Sequence, residues 1–456
     1  MTSLLSKIQT IFLASLCIIT FSSLKAQSNE KIWTLKRCIE YAKVNNSELK
    51  QVELKYKLNQ LQLKKAKLNQ LPSANINTLQ AIQFGKTVDP NTNSFLDISL
   101  LVNRFQFSGS MPLFNFYGLN NLIKSEEFNV QDAFLNISNF GNELSLAILN
   151  YYLKVSLAQE QLKLYSFDIK KTLKQIEFIE ESISLGANSD LNLHRYKSKL
   201  ALDSSNYLDA TNEIINLKLA LKTLLNLDLS EKFEILIPRL EEIEQLNLII
   251  ADDPAILYKQ AYEKDIRLKQ NILKSQSFFL KQKANRASFY PSVSLLYNTS
   301  SVFSNIIKDK PFNKWWTGFG NQMNTNFNQI IALNINIPIF NNGQSKYIYE
   351  QDKLAINNLI LEKKVIEGEL KKNIYTVSNS IYTAVKKLNE IKKIVLESNI
   401  TYNMIYEKFR LGGVSSQELI NAQNELFKAE ELLISSKINL FYKVKIINFY
   451  KNGYID

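Results

Sequence analysis

The stretch "LGGVSSQELINAQNEL" (residues 411–426) interrupts a long, lysine-rich helical sequence with two glycines and several small residues. A similar stretch, "LGANSDLNLHRYKSKL", occupies residues 185–200, and Gly186 aligns with Gly412 at an offset of 226 positions. Because glycine adopts the backbone conformations that a tight reversal needs, each stretch is predicted to end one helix and begin another. The chain is therefore expected to make the same turn twice.

Other landmarks repeat in the same order. "LPSANI" (71–76) aligns with "YPSVSL" (290–295) at an offset of 219, and "SMPLFN" (110–115) aligns with "NIPIFN" (336–341) at an offset of 226. The second copy therefore carries seven extra residues between these landmarks, an insertion that is expected in an exposed loop. The sequence predicts a duplication of one structural unit.

Each copy is predicted to run helix, two strands, long helix, tip and helix. A signal peptide is predicted at 1–26, a linker between the two copies at 227–252 and a C-terminal tail at 448–456. The first repeat is predicted at 27–226, with strands at about 72–112 and a tip at about 186–190. The second repeat is predicted at 253–447, with strands at about 291–338 and a tip at about 412–416.

The first 26 residues have the pattern of a secretory signal peptide, with Lys7 before the apolar run 11–21 and a cleavage site after Ala26. The run is too short for a comfortable membrane-spanning helix, and no later stretch of about 18 apolar residues follows. A lipid anchor at Cys17 is the alternative, which the large Leu16 before it disfavours.

The helices carry apolar residues spaced alternately four and three apart, which predicts a seam packed against neighbouring helices. In the second copy the seam consists of Leu370, Ile374, Val377, Ile381, Ala384, Leu388, Ile391 and Val395, and in the first of Leu144, Ile148, Tyr151, Val155, Ala158, Leu162, Tyr165 and Ile169. From Leu119 to Leu185 the long helix has 67 residues, or about 100 Å at about 1.5 Å per residue. The shorter helices, 34–70 and about 190–226, have 37 residues each and would together match it.

The segments between the helices alternate apolar and polar residues. Phe105 and Phe107 alternate with polar residues in the first copy, and Leu333 alternates with Asn334 in the second. A soluble antiparallel sheet and a membrane barrel both produce this pattern. The signal peptide, the absence of membrane helices and the aromatic-rich strands favour the barrel, with Leu333 toward lipid and Asn334 toward the lumen. Because four strands cannot close a barrel, the sheet is expected to close by joining protomers.

Charge and reactive residues give little support for other functions. The formal net charge is +12, but the lysines lie beside glutamates along helices, a pattern of solvated helix faces and not of a nucleic-acid site.

Cys38 is the only cysteine outside the signal peptide, so no intrachain disulfide is expected, and we interpret it as a small buried residue. The sole histidine, His194, has no catalytic context, and no cofactor or metal motif is present, so the chain is not predicted to be an enzyme. A soluble periplasmic coiled-coil scaffold or chaperone is the alternative.

With its duplicated plan, the sequence resembles the outer membrane efflux protein family, whose namesake is TolC. The matching motifs are "MPLFNFYG" (111–118), "IPIFNNGQ" (337–344) and the tip sequence at 409–430, and the resemblance covers roughly residues 30–450. It implies an α+β membrane protein: a homotrimer with a twelve-stranded β-barrel among the lipids of a Gram-negative outer membrane, continued by an α-helical coiled-coil tunnel through the periplasm. It also implies a passive exit duct that works without a cofactor, together with an inner-membrane pump and a periplasmic adaptor.

The resemblance also implies roles for the tips. Their small residues would let a helical hairpin of the adaptor pack closely: Gly186, Ala187, Asn188, Ser189, Gly412, Gly413, Val414 and Ser415. The family narrows this end of the tunnel with acidic rings, and the matching positions here are Glu418, Asn421 and, in the first copy, Asn192. Only Glu418 is acidic, which puts a gate of two carboxylate rings in doubt. The alternative for Glu418 is an exposed glutamate favoured by the dipole of a helix start.

Overall fold

A computed structural model of the chain describes residues 32–88, 93–186, 189–237, 253–307 and 311–455. The predicted signal peptide lies outside this part of the chain, and so do Ala187 and Asn188 of the first tip. The predicted linker between the copies is described only as far as residue 237.

The order of elements repeats in the two halves of the chain. The first half contains β1 (Ile32–Trp33), α1 (Leu35–Asn45), α2 (Ser47–Leu68), β2 (Ser73–Val88), β3 (Phe95–Phe114), α3 (Gly118–Ser184) and α4 (Asp190–Leu225). The second half contains β4 (Glu234–Ile235), α5 (Pro254–Lys264), α6 (Ile266–Arg286), β5 (Ser292–Ile306), α7 (Phe319–Thr325), β6 (Asn328–Asn336), α8 (Gln344–Arg410) and α9 (Ser416–Asn452). The duplicated order predicted from the sequence is present, with the first helix of each copy divided in two.

The two long helices have the predicted length and the predicted seam. Both α3 and α8 contain 67 residues. All sixteen residues of the heptad seam are buried or half-buried, and Ile148, Val155, Ile374 and Leu388 are completely inaccessible to solvent. Within the described ranges, none of the helices combines the length and the apolar character needed to span a membrane.

The first helix of each copy is broken, where the sequence predicts a continuous one. The breaks fall at Asn46 and at Asp265, which align at the offset of 219. The Asn46 side chain accepts a hydrogen bond from the Leu49 N–H at 2.9 Å, and the Asp265 side chain accepts one from the Arg267 N–H at 2.8 Å. Each side chain caps the helix that follows it, because a carboxylate or amide oxygen satisfies an N–H that lacks a partner in the first turn. The prediction of unbroken helices was wrong for this reason.

One four-stranded antiparallel sheet contains two strands from each copy, in the order β2–β3–β5–β6. The outer strands β2 and β6 each pair on one side only within this sheet. The strands of the second copy end slightly before the predicted limit of about 338, because β6 ends at Asn336. Pro338 lacks an N–H to donate to a strand ladder, which agrees with this early end.

The strand registers give the sheet one apolar and one mainly polar face. Pairing of adjacent strands places Ile76, Phe105, Phe107, Tyr297, Ile331, Leu333 and Ile335 on the apolar face. The opposite face carries Gln106 and Asn298, whose side chains are hydrogen-bonded at 3.0 Å, and Asn334. The predicted separation of Leu333 from Asn334 is confirmed; which face meets lipid stays a prediction.

The chain packs as two compact units, each built from segments of both copies. The first unit contains the described residues of Met1–Asn45, Ala147–Leu246 and Lys387–Tyr442, and the second contains the four-stranded sheet and the remaining helical segments. In the first unit β1 pairs in parallel with β4, and the Tyr152 hydroxyl donates to the carbonyls of Trp33 and Leu236. Cys38 is completely buried there, and burial raises the pKa of its thiol to about 12. The interpretation of Cys38 as a small buried residue is confirmed.

Candidate functional site: the two helix tips

The tip between α8 and α9 is a tight reversal that requires glycine. Gly412 has a φ of +75°. Its N–H donates to the Phe409 carbonyl at 3.0 Å, and the Gly413 N–H donates to the Lys408 carbonyl at 2.8 Å. This pair of bonds is a Schellman motif, which closes the C-terminus of a helix. A Cβ atom at Gly412 would meet nothing within 4 Å, so the backbone conformation, and not a lack of space, demands glycine here.

The tip between α3 and α4 begins with the same glycine conformation. Gly186 has a φ of +74°, and its N–H donates to the Ile183 carbonyl at 2.9 Å. Ser189, in an extended conformation, then precedes the first residue of α4. Gly186 and Ser189 therefore occupy the positions that their alignment with Gly412 and Ser415 predicts.

The start of α9 is a capping box formed by Ser415 and Glu418. The Ser415 hydroxyl lies 3.3 Å from the Glu418 backbone nitrogen and 3.1 Å from a Glu418 carboxylate oxygen. The same carboxylate oxygen lies 3.5 Å from the Ser415 backbone nitrogen. Such reciprocal contacts satisfy backbone N–H groups that a helix start leaves without partners. Glu418 thus has a structural role at the helix start, and its role at the tunnel aperture stays a prediction.

The two tips are joined by a hydrogen bond from one helix start to the other. The Ser416 hydroxyl, completely buried, donates to the Asn192 side-chain oxygen at 2.6 Å. The Arg195 guanidinium lies 3.5 Å from the same hydroxyl. Asn421, by contrast, is exposed and accepts a hydrogen bond from Gln417 within its own helix at 3.0 Å. Of the three predicted aperture residues, only Asn192 therefore contacts the opposite tip.

An apolar cluster lies behind the tips and holds the four helices together. It contains Ile176, Ile179, Tyr196, Tyr402, Phe409, Leu419, Ile420, Ala422 and Leu426. Val414, predicted as a docking residue, packs against this cluster. Because Val414 contacts the core of its own chain, it orients the tip, and less of its surface is open to a partner.

A buried polar network crosses the same helices. Lys199 on α4 lies 3.0 Å from Asp168 on α3 and 2.9 Å from Asp203, and only about a tenth or less of each side chain is exposed. Thr172 donates to Asp203 at 3.0 Å, and Gln423 on α9 donates to Asp168 at 2.6 Å. The network therefore ties α9 to the α3–α4 pair through charged groups that are shielded from water.

Burial shifts the pKa values of several groups near the tips. It raises the pKa of the Tyr402 hydroxyl to about 12 and raises that of Tyr196 further. Burial also raises the pKa of Glu430, while Lys171 opposes that shift and Asp168 adds to it. The folded state binds the Glu430 proton more tightly than the unfolded state does. At a pH above the raised pKa, ionised Glu430 therefore lowers the free energy of unfolding. At a pH below the pKa of an unfolded glutamate, the residue is protonated in both states and this destabilisation is absent.

Two exposed leucines at the tips were not among the predicted site residues. Leu185 is 76% exposed and Leu411 is 85% exposed, and each directly precedes the glycine of its tip. Their equivalence across the 226-residue offset was the signal that could have identified them. A leucine left in water at the same place in both copies is a candidate contact for another protein, since burying such a side chain is favourable by about 1.5–3 kcal/mol.

Solved structures of outer-membrane proteins have the same architecture as this chain. CusC, described as forming a transmembrane channel, matches with a TM-score of 0.72 and 16% identity over 92% of this chain and 93% of its own. VceC of Vibrio cholerae matches with a TM-score of 0.71 and 12% identity over 92% and 95%. The CmeC channel of Campylobacter jejuni matches with a TM-score of 0.71 and 15% identity over 92% and 86%. No protein-family model and no curated protein sequence matches the chain.

The chain has the TolC-like outer-membrane channel fold. The resemblance predicted from the strand-end and tip motifs is thus confirmed at the level of the fold. Within this TolC-like fold, Gly186, Ser189, Gly412, Gly413, Val414 and Ser415 lie at helix reversals of a single unit. Asn192 and Glu418 stabilise those reversals, and Asn421 is exposed beside them.

Proposed function

We propose that this chain is the outer-membrane exit duct of a tripartite efflux or secretion system in a Gram-negative bacterium. It conducts substrate passively from an inner-membrane pump and a periplasmic adaptor across the periplasm and outer membrane. The observation that carries the proposal is the likeness to CusC, which forms a transmembrane channel, over 92% of this chain and 93% of the other, together with the likeness to the CmeC outer membrane channel. At 16% identity the likeness to CusC concerns the fold.

The open sheet supports assembly into a homotrimer. The described residues of one chain supply four strands to this sheet, and the outer edges of β2 and β6 have no strand partner among them. Unpaired backbone groups at a sheet edge cannot face lipid, so β2 of one protomer pairs with β6 of the next. Three protomers close a barrel of twelve strands, within the range of known outer-membrane barrels.

Two helical stripes support the same assembly. The helix α2 leads directly into β2, and α8 follows β6, so the stripes adjoin the two open edges of the sheet. The stripe of α2 consists of Leu54, Leu58, Leu61 and Leu68, and the stripe of α8 consists of Tyr347, Leu354, Leu361 and Val365, all of them exposed. Their heptad-like spacing suits helix packing between protomers. A second copy of this chain therefore covers both stripes when the strands pair.

The apolar sheet face argues against a soluble periplasmic scaffold. Ile331 is 74% exposed and Leu333 is 64% exposed, and both lie on the apolar face. A soluble protein rarely leaves such a face in water. In the duct this face meets outer-membrane lipid, and the polar face with Gln106 and Asn334 lines the lumen.

The tips receive the adaptor. Leu185 and Leu411 are the exposed apolar contacts, and the docking residues beside them that the structure describes are Gly186, Ser189, Gly412, Gly413, Val414 and Ser415. Ala187 and Asn188 belong to the same predicted docking set and lie outside the described residues. Asn192, Asn421 and Glu418 form the aperture of the tunnel, and Asn192 and Glu418 additionally hold the helix starts in place.

Cell fractionation and electrical recording together test the proposed function. Full-length protein expressed in a Gram-negative host is expected in the outer-membrane fraction as a heat-modifiable oligomer. The purified oligomer is expected to conduct ions across a planar lipid bilayer. A soluble monomer in the periplasmic fraction would instead support the scaffold.

A further inference from the structure

The connection between β5 and β6 contains a short aromatic segment with no equivalent between β2 and β3. Residues 312–326 include one 3₁₀ turn, Phe312–Lys314, and the helix α7. The insertion that distinguishes the second copy is thus partly folded, and its sequence, "FNKWWTGFGNQMNTN", is rich in aromatic residues. We refer to residues 312–326 as the aromatic clasp.

The aromatic clasp packs on the apolar face of the sheet. Phe105 and Phe303 project from that face, because the register pairs Phe105 with Ser301 and side chains alternate along each strand. The Phe319 ring of the clasp lies 5.1 Å from the Phe303 ring and 6.1 Å from the Phe105 ring, between centroids. The Trp316 ring stacks on Phe303 at 5.7 Å. The clasp therefore shares its face with Ile331 and Leu333, which the proposed function turns toward lipid.

Hydrogen bonds fix the clasp to the edge of β5. The strand β6 pairs with β5 only as far as Ser300, and no other strand of the described ranges pairs with the rest of this edge. There the Gln322 side chain accepts from the Ser304 N–H at 2.9 Å, and the Asn326 side chain donates to the Val302 carbonyl at 2.7 Å. The clasp thus replaces the missing strand with side-chain partners, and its position on the sheet is defined.

A second aromatic cluster lies near the start of β5, and its distance from the clasp along the strand can be compared with the thickness of a membrane. Phe116 stacks on Tyr290 with ring centroids 3.7 Å apart. Tyr290 and Phe303 are 13 residues apart, which is about 43 Å of extended chain. At the strand tilt of outer-membrane barrels this corresponds to roughly 33 Å along the membrane normal. Because aromatic girdles flank an apolar band of about 25 Å in such barrels, the two clusters fit opposite membrane interfaces.

The outer surface of the clasp has the chemistry of an interface. Phe312 is 69% exposed, Trp316 is also exposed, and Lys314 lies exposed between them. Tryptophan prefers the boundary between headgroups and acyl chains, and a lysine beside it can reach lipid phosphate. The occupant that matches this surface is a lipid headgroup layer.

We propose that the aromatic clasp is a lipid anchor, which sits on the outer side of the barrel and binds the headgroup region of the outer leaflet. The proposal rests on the proposed function, since it needs the apolar sheet face to meet lipid. The proposed function does not say where the segment between β5 and β6 lies. The lipid anchor places this segment at the membrane surface and not in the water beyond the membrane.

Tryptophan fluorescence of the full-length protein in phosphatidylcholine vesicles tests the anchor. The chain has three tryptophans, and Trp33→Phe leaves only Trp315 and Trp316, both in the clasp. A second reporter protein carries Ile331→Trp, in a background with phenylalanine at all three native tryptophan positions. Ile331 pairs with Tyr297, about midway between the two aromatic clusters. The quenchers are phosphatidylcholines brominated near the glycerol end or near the methyl end of the acyl chain, and aqueous iodide.

The anchor predicts that Trp315 and Trp316 are quenched more by bromine near the glycerol end, whereas Ile331→Trp is quenched more by bromine near the methyl end. Quenching of the clasp by iodide and by neither lipid, with Ile331→Trp still quenched by lipid, would overturn the anchor and leave the duct intact. Stronger quenching of the clasp from the methyl end would place it in the hydrocarbon and would also overturn the anchor. Loss of lipid quenching at Ile331→Trp would remove the membrane barrel, and the anchor with it.

Discussion

The Ser416 hydroxyl donates a 2.6 Å hydrogen bond to the Asn192 side chain, and so joins the starts of two helices that lie 224 positions apart in the sequence. Ser416 is completely buried. A short bond to a completely buried hydroxyl joins the two tips into one structural element. Asn192 therefore acts at the tips by holding them together, whatever it also contributes to the aperture.

Replacing Ser416 with alanine is expected to loosen the tips. The substitution removes one hydrogen bond, a loss of about 0.5–1.5 kcal/mol. Amide hydrogen exchange at the starts of α4 and α9 should become faster. Ser435→Ala is the matched control, because Ser435 lies on the same helix but is only half-buried and donates to the Leu432 carbonyl of its own helix. Equal effects of the two substitutions would contradict the proposed link.

Replacing Glu418 with glutamine is expected to leave ion conductance nearly unchanged. Glutamine can keep the capping box with Ser415, because its side-chain oxygen accepts the same hydrogen bonds. Glu418→Ala removes the cap and should destabilise the start of α9 by about 0.5–2 kcal/mol. Single-channel recording of both variants measures the effect. A clear rise in conductance for Glu418→Gln would show that the negative charge, and not the cap, constrains the pore.

Replacing Lys199 with methionine is expected to destabilise the tip unit strongly. Asp168 and Asp203 would remain buried without a cation, and loss of one partner of a buried pair costs about 3–5 kcal/mol. Lys197→Met is the matched control on the same helix, since Lys197 pairs with Glu180 at the surface and such pairs contribute about 0–1 kcal/mol. Thermal unfolding in detergent should show a lower midpoint for Lys199→Met only.

A triple variant separates the buried charge from the loss of packing. Lys199→Met combined with Asp168→Asn and Asp203→Asn removes all three charges at once. It should recover most of the lost thermal stability, because neutral groups are less costly to bury than unpaired carboxylates. The electrostatic account would be wrong if the triple variant were no more stable than Lys199→Met alone.

Replacing Leu185 and Leu411 together with glutamine is expected to abolish export while oligomers remain abundant in the outer membrane. Both leucines are exposed, so the change should not disturb the fold of the chain. An adaptor that buries them would lose about 1.5–3 kcal/mol of contact energy per site. Crosslinking to the adaptor in cells measures docking directly, and Leu432→Gln, an exposed leucine of α9, is the control. Normal crosslinking in the double variant would remove the tips as the docking surface.

Features that repeat in the sequence were predicted well. The 67-residue helices and their buried seams follow from apolar spacing, and the tips follow from glycine at equivalent positions. The two sheet faces follow from strand alternation, as Leu333 and Asn334 show. These properties depend on local periodicity, which a single sequence contains in full.

Features that depend on a partner distant in sequence were missed. Ser416 and Lys199 find their partners through packing of helices from different parts of the chain, and periodicity does not specify such partners. The breaks at Asn46 and Asp265 were missed for another reason, because a cap and an ordinary polar residue look alike in a helical pattern. A loop was expected where the aromatic clasp lies. The clasp is folded because its side chains form hydrogen bonds with backbone groups at the edge of β5.

The central claim is that one chain supplies one third of a closed barrel, and the mass of the membrane-extracted particle tests it most directly. Native mass spectrometry of the full-length protein in detergent should give three protomers per particle. This expectation rests on the four strands of the described sheet and on its two outer edges, since unpaired strand edges are not tolerated in lipid. A folded, membrane-inserted particle containing a single protomer would contradict the account.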